Sequence, residues 1–229
     1  MANYLIIGGS SGIGRALVTQ LLDDGHNVAV WARESRDLPG AVTFTAYDVV
    51  GETDPPKDAI PEGLNGVVYC PGSIDLKSFR SLKAPAFREA FEVNVVGAVR
   101  CLQAVERTLK KAENAAIVLF STVAVQRGMP FHAGVAAAKG AVEGLTRSLA
   151  AEYAPNVRVN AIAPSLTDTP LAGKLLATDE KRQASADRHP LKRVADAEEI
   201  AAMAAFLLSE KAAFVTGQII GMDGGLSAV

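Results

Sequence analysis

Short apolar runs rich in β-branched residues alternate along this chain with longer alanine-rich segments. The runs at 4–7, 28–31, 42–46, 67–70, 117–121, 157–162 and 218–221 predict strands. Several are apolar at consecutive positions rather than at every second one, which fits parallel strands covered on both faces. Between them, 14–24, 85–111, 135–153 and 197–208 read as helices, the last opened by Asp196 and Glu199 in capping-box spacing. Strand–helix alternation over the whole length predicts an α/β fold, one doubly wound domain over 1–229. No repeat, low-complexity tract or linker divides it. Residues 164–190, rich in Thr, Asp and Lys, form the longest stretch without strand logic, and long connections of this kind are often functional.

Composition narrows the functional class. The 229 residues are 49% hydrophobic and 21% charged, as in an ordinary globular protein with length enough for a large core. A net charge of −2 supplies no electrostatic reason for nucleic acid or an anionic membrane as partner. No run of eighteen apolar residues predicts a spanning helix, and the N-terminus leads straight into a strand rather than a signal peptide. The two cysteines, Cys70 and Cys101, sit in apolar segments and are too few for a disulfide framework. A cytoplasmic location and a small-molecule substrate are expected. No metal site is expected.

The glycine loop is the first chemical signal. Gly8, Ser10, Ser11, Gly12, Ile13 and Gly14 follow the first strand and open the first helix. Glycine lets the backbone turn tightly and approach a phosphate, and the helix N-terminus offers unpaired N–H groups. A glycine pattern in this strand–loop–helix position predicts a dinucleotide.

The spacing Gly8-x-x-x-Gly12-x-Gly14 resembles the short-chain dehydrogenase/reductase family. The resemblance runs through Asp48-Val49, Pro71-Gly72, Asn94, Lys139, the run from Val157 to Pro164, and Gly217-Gln218 to Asp223-Gly224-Gly225. It implies a single Rossmann-type domain with a mainly parallel seven-stranded sheet, a nicotinamide cofactor and alcohol–ketone chemistry. It further implies that Asp48 and Val49 meet the adenine, that Gly72 lets the backbone lie close to the cofactor, and that Ile162 and Thr169 reach the carboxamide. Residues 164–190 would form the substrate lid. The aspartate that selects NAD would fall at Ala32, followed by Arg33, whose planar fork suits a 2′-phosphate. NADP(H) is therefore the expected cofactor, with NAD(H) the alternative. Alanine-rich helix faces at 98–104 and 136–141 match those that assemble relatives, so a homo-oligomer, tetramer or dimer, is expected.

At the chemical site the resemblance assigns a structural water to Asn94, the nicotinamide ribose to Lys139 and the substrate oxygen to Thr122. An unpaired ammonium in the apolar surroundings of Lys139 would be costly without such a partner. The proton-donating tyrosine would stand four residues before the lysine, and Val135 stands there. Tyr153 lies about 21 Å farther along a continuous helix, too far to substitute, and Tyr69 lies on the fourth predicted strand. His132, seven residues before Lys139, shares its helical face after two turns and offers a proton donor. Enoyl reductases of the same superfamily carry their tyrosine at that larger spacing. Three functions follow: an NADP(H)-dependent carbonyl reductase with a non-standard proton donor, an NADP(H)-binding sensor or regulator, and an enoyl-type reductase.

Overall fold

The computed structural model describes residues 1–229. In chain order the elements are β1 (Asn3–Ile7), α1 (Gly12–Asp23), β2 (Asn27–Ala32), β3 (Thr43–Ala46), β4 (Leu64–Tyr69), α2 (Ala84–Phe91), α3 (Gly97–Leu109) and β5 (Ala115–Phe120). There follow α4 (Val123–Arg127), α5 (Ala133–Tyr153), β6 (Val157–Pro164), β7 (Thr167–Asp168), α6 (Asp179–Asp187), β8 (Ala195–Asp196), α7 (Ala197–Leu208) and β9 (Ile219–Met222). Seven strands form one parallel sheet in the order β3-β2-β1-β4-β5-β6-β9. All seven predicted strands are present, with ends displaced by one to three residues. Cys70 and Ser121 fall just beyond their strands, at the edge where the loops begin.

The uninterrupted apolar runs have a simple cause. Side chains alternate across a strand, so a sheet covered on both faces needs apolar residues at both parities. Leu5 and Ile7 of β1 enter one core with Leu102 and Val105 of α3 and Val142 of α5. Tyr4 and Ile6 enter the other with Leu17 and Leu21 of α1 and Ile200 and Leu207 of α7. Each fully buried Leu or Ile contributes roughly 1.5–3 kcal/mol of transfer free energy. Glu199 accepts the Asp196 backbone N–H at 3.0 Å, as the capping-box spacing predicts.

Two predictions of secondary structure require correction. The helix expected over 85–111 is α2 and α3 joined through a π-helical turn at Glu92–Val96. Within it, the Asn94 amide donates to the Ala90 carbonyl at 2.7 Å, the acceptor an α-helix would reserve for the Asn94 backbone. The stretch 164–190 is not irregular throughout. The two-residue strands β7 and β8 pair with each other, and α6 stands between them in sequence. Helix α6 escaped notice because its sequence is almost wholly polar and shows no apolar period. Its signal lay in Thr178, which caps Lys181 N–H at 3.3 Å, followed by Asp179 and Glu180 in the first turn. An ion pair of 2.7 Å between Arg182 and Asp168 ties α6 to β7.

Candidate functional site

The C-terminal ends of the parallel strands open into one cavity of about 850 Å³. Ligands in open α/β sheets bind at this edge, because loops diverge where helices leave for opposite faces. The glycine loop forms one wall, with Gly8, Ser10, Ser11, Gly12, Ile13 and Gly14 all facing the cavity. Gly12 adopts φ +52°, and a Cβ on Gly14 would stand 2.5 Å from the Gly8 carbonyl oxygen. Helix α1 can therefore start beneath the loop only with glycine at both positions. Ser11 is its N-cap, yet its side chain accepts no capping hydrogen bond. The first-turn N–H groups are left for an anion.

The cavity continues past the ends of β2 and β3. Arg33 is exposed at its rim, and Glu34 leans toward Arg36, 3.9 Å away, rather than toward Arg33. Arg36, held at φ +47°, also lines the cavity and was not singled out from sequence. A loop arginine carries no periodic signal, and only the turn after β2 brings it beside Arg33. Asp48 accepts the Val50 N–H at 3.0 Å, which fixes its turn, and Asp48 and Val49 both line the cavity.

At the other end, α5 presents Val135 and Lys139 on one face, both against the cavity. Lys139 is 8% exposed. Burial lowers its pKa from 10.5 to about 8, and only the nearby Cys70 thiol opposes the shift. Burial pushes the Cys70 thiol up to about 12, an effect that Lys139 in turn reduces. Asn94 does not line the cavity. It stands one layer behind Gly72, where a Cβ would lie 3.3 Å from Asn94 Oδ1 and 3.5 Å from Lys139 Nζ. The amide donates to the Ala90 carbonyl and to Ser73 Oγ, while Oδ1 is buried with no partner. A buried acceptor without a partner beside a buried ammonium is a polar pocket for water or a ligand hydroxyl.

Thr122 lines the cavity and caps α4, accepting the Ala124 N–H at 3.4 Å. Ser121 donates instead to the buried carboxylate of Glu143 at 2.8 Å. His132 reaches the cavity from the N-cap of α5, with Nδ1 held 2.6 Å from the Pro130 carbonyl. Tyr69 turns into the core and donates to the Val93 carbonyl at 2.5 Å, where burial raises its pKa.

One residue expected to meet the cofactor lies outside the cavity wall. Ile162 is fully buried, its carbonyl accepts the Ser121 N–H at 2.7 Å, and it does not line the cavity. Of β6 only its last residue, Pro164, reaches the cavity, and Thr167 and Thr169 line it from the segment that follows. Thr169 caps the short 3₁₀ turn Pro170–Ala172, and its Cβ lies 3.3 Å from where Gly12 would carry a side chain. The segment after β7 thus packs directly onto the glycine loop. Sequence reasoning also passed over His189, a 4% exposed imidazole in the cavity wall, and gave Ser165, its hydrogen-bond partner at 2.8 Å, no role.

The glycine cradle, the free helix N-terminus and the unpartnered Asn94 Oδ1 fit a dinucleotide cofactor. Comparison with known proteins agrees in kind. A family model described as enoyl-(acyl carrier protein) reductase matches residues 57–227. The 3-oxoacyl-acyl-carrier-protein reductase FabG of Thermotoga maritima is 33% identical over 243 residues, 97% of this chain and 96% of that protein. A tropinone reductase homolog of Arabidopsis thaliana is 34% identical over 246 residues, covering 98% of this chain and 92% of that protein. Among solved structures, a short chain dehydrogenase family protein from Francisella tularensis superposes with a TM-score of 0.88 at 27% identity, covering 100% of both chains. No helix of this chain is long and apolar enough to cross a membrane.

Proposed function

The chain belongs to the short-chain dehydrogenase/reductase family of oxidoreductases, and from that premise we propose that it uses NADP(H) to interconvert a small-molecule carbonyl compound and its alcohol with a non-standard proton donor. One observation supports this most: Lys139 and Thr122 share a single cavity with the glycine loop, and Asn94 backs it through Gly72. When bound, the nicotinamide supplies or accepts the hydride. Arg33 and Arg36 hold the 2′-phosphate, and the first turn of α1 holds the pyrophosphate. Lys139 hydrogen-bonds the nicotinamide ribose, which gives its buried ammonium the partner it lacks within the chain. Thr122 orients the substrate oxygen. The family resemblance places a proton-donating tyrosine at position 135, and the valine here has no proton to give. Among the groups lining the cavity, His132 and the Ser165–His189 pair each bring an imidazole that can supply one. A homo-oligomer built through α3 and α5 is part of the proposal.

The test is a calorimetric titration with NADPH and NADP⁺, then absorbance assays against ketones, diketones, quinones and enones. Turnover on carbonyls that is abolished in Lys139→Ala is the expected result. Tight NADPH binding with no turnover on any substrate refutes the enzyme and leaves a cofactor sensor. A second reading, enoyl reduction, draws on the description of the matching family model. Turnover confined to the enones would select it.

A further inference from the structure

Ser165 and His189 are 24 residues apart in sequence and meet in the cavity wall, with Ser165 Oγ 2.8 Å from His189 Nε2. The other ring nitrogen, Nδ1, lies 2.8 Å from the Ser185 carbonyl at the end of α6. A carbonyl only accepts, so Nδ1 carries a proton in every state that keeps this contact. In the neutral ring Nε2 is then bare and must accept, which obliges the Ser165 hydroxyl to donate to it. Ser165 consequently turns only lone pairs toward the cavity. Protonating the ring reverses this: Nε2–H donates to Ser165 Oγ, and the serine hydrogen is released toward the cavity.

Ser165 also shares the cavity with Thr122, the residue expected to meet the substrate oxygen. Phe120 of β5 pairs with Ile162 of β6, and both chains leave the sheet soon after, at Thr122, the N-cap of α4, and at Ser165, just past the end of β6. Thr122 and Ser165 thus leave adjacent strands at the same edge, and both line the cavity with Val135.

We propose that Ser165 and His189 form the proton shuttle of this site, replacing the hydroxyl that position 135 lacks. The inference rests on the oxidoreductase reading above. A secondary alcohol donates its O–H to Ser165 Oγ. As its C–H electrons leave as hydride to NADP⁺, the alcohol proton passes to Ser165, whose own proton passes to His189 Nε2. The products are a ketone, NADPH and an imidazolium, so charge and protons balance. Reduction runs the same steps backward, starting from protonated His189. Ser165 is the catalytic residue because it touches the substrate oxygen, and His189 acts through it. The substrate class is a secondary alcohol or its ketone.

The charged groups near the ring are accounted for. Asp223, beside Gly224 whose Cβ would lie 3.5 Å from His189 Cδ2, accepts from Gly225 N–H, Ser227 N–H and the Ser227 hydroxyl. Asp187 and Arg188 are exposed, and Lys192 Nζ donates to the Asp187 carbonyl. No carboxylate hydrogen-bonds the imidazole.

The experiment uses the full chain, a panel of cyclic and linear secondary alcohols with NADP⁺, and the matching ketones with NADPH. Ser165→Ala and His189→Ala should each lower kcat about a hundredfold, the usual weight of a positioned acid–base group. NADPH affinity should stay within twofold of the parent, which also shows that the variants fold. The double variant should be no slower than either single one, because the two act as a unit. Added imidazole should restore His189→Ala but not Ser165→Ala, an effect that a structural role does not produce. Without cofactor, ¹⁵N spectra of labelled histidine should show a neutral ring protonated at Nδ1 whose signals vanish in His189→Ala. Parental kcat in Ser165→Ala overturns the inference, as does a His189 ring protonated at Nε2 in the neutral state. Loss of turnover in His132→Ala with Ser165→Ala at the parental rate overturns it in favour of His132. A parent protein that binds NADPH and turns over nothing overturns the oxidoreductase reading and the shuttle with it.

Discussion

Replacing Lys139 by methionine should stabilise the cofactor-free protein while weakening its grip on NADPH. The ammonium is buried, and burial lowers its pKa from 10.5 to about 8. That shift corresponds to about 3 kcal/mol, at one pKa unit per 1.36 kcal/mol. The sign follows from proton counts. Between pH 8 and 10.5 the unfolded chain holds the lysine proton more often than the folded one, so this group's contribution to stability rises with pH. Below pH 8 the folded protein carries the full unfavourable term. Above 10.5 the lysine is neutral in both states and the term vanishes. Methionine fills similar space without charge, so Lys139→Met should gain about 1–3 kcal/mol at pH 7, reduced by imperfect packing. The gain should shrink across pH 8–10.5. Urea melts of both proteins at pH 7, 9 and 10.5, taken without cofactor, measure the difference and cancel the tyrosines that titrate in the same range. Saturating NADPH should favour the parent, because the ribose contact is lost in the variant. A variant no more stable than the parent at pH 7, or an advantage flat with pH, would refute the reasoning. The ammonium would then be solvated within the cavity and carry no desolvation cost.

Three further outcomes are expected. NADP(H) should bind at least tenfold tighter than NAD(H), about 1.4 kcal/mol, and Arg33→Ala should remove most of that gap by calorimetry; equal affinities in the parent refute it. Gly14→Ala should abolish NADPH binding, since its Cβ would press within 2.5 Å of the Gly8 carbonyl, and unchanged affinity would show that the loop can shift. Val135→Tyr should create or raise carbonyl reduction, at a cost of roughly 1–3 kcal/mol in overpacking read from thermal melts; a folded variant that binds NADPH but gains no activity would show that the pocket no longer accepts that donor.

Much of the site was legible because its residues are close in sequence or fixed by local geometry. The glycine loop spans seven consecutive positions from the end of β1 into the first turn of α1. Val135 and Lys139 are one helical turn apart, so their shared face follows from helix geometry alone. Arg36 was not legible, since an arginine in a turn has no pattern to mark it. Ile162 was named for a backbone contact, which side-chain type does not reveal, and it lies outside the cavity wall. Its carbonyl was already committed to Ser121 in the sheet. Helix α6 was missed because it faces solvent and needs no apolar stripe.

Hydrophobic patterning and the glycine loop determined the order of the sheet strands and the long helices, the parallel sheet covered on both faces and the edge at which ligands bind. Each of these depends on local periods of two or 3.6 residues and on glycine where a side chain cannot fit. Tertiary structure decided what stands around the reacting atoms. The polar pocket of Gly72, Asn94 and Lys139 joins three different elements. The Ser165–His189 pair exists only because the chain after α6 returns to the end of β6, bringing together residues 24 positions apart. Such contacts depend on the closure of long loops over a finished sheet, and no local period in the chain records where those loops come to rest.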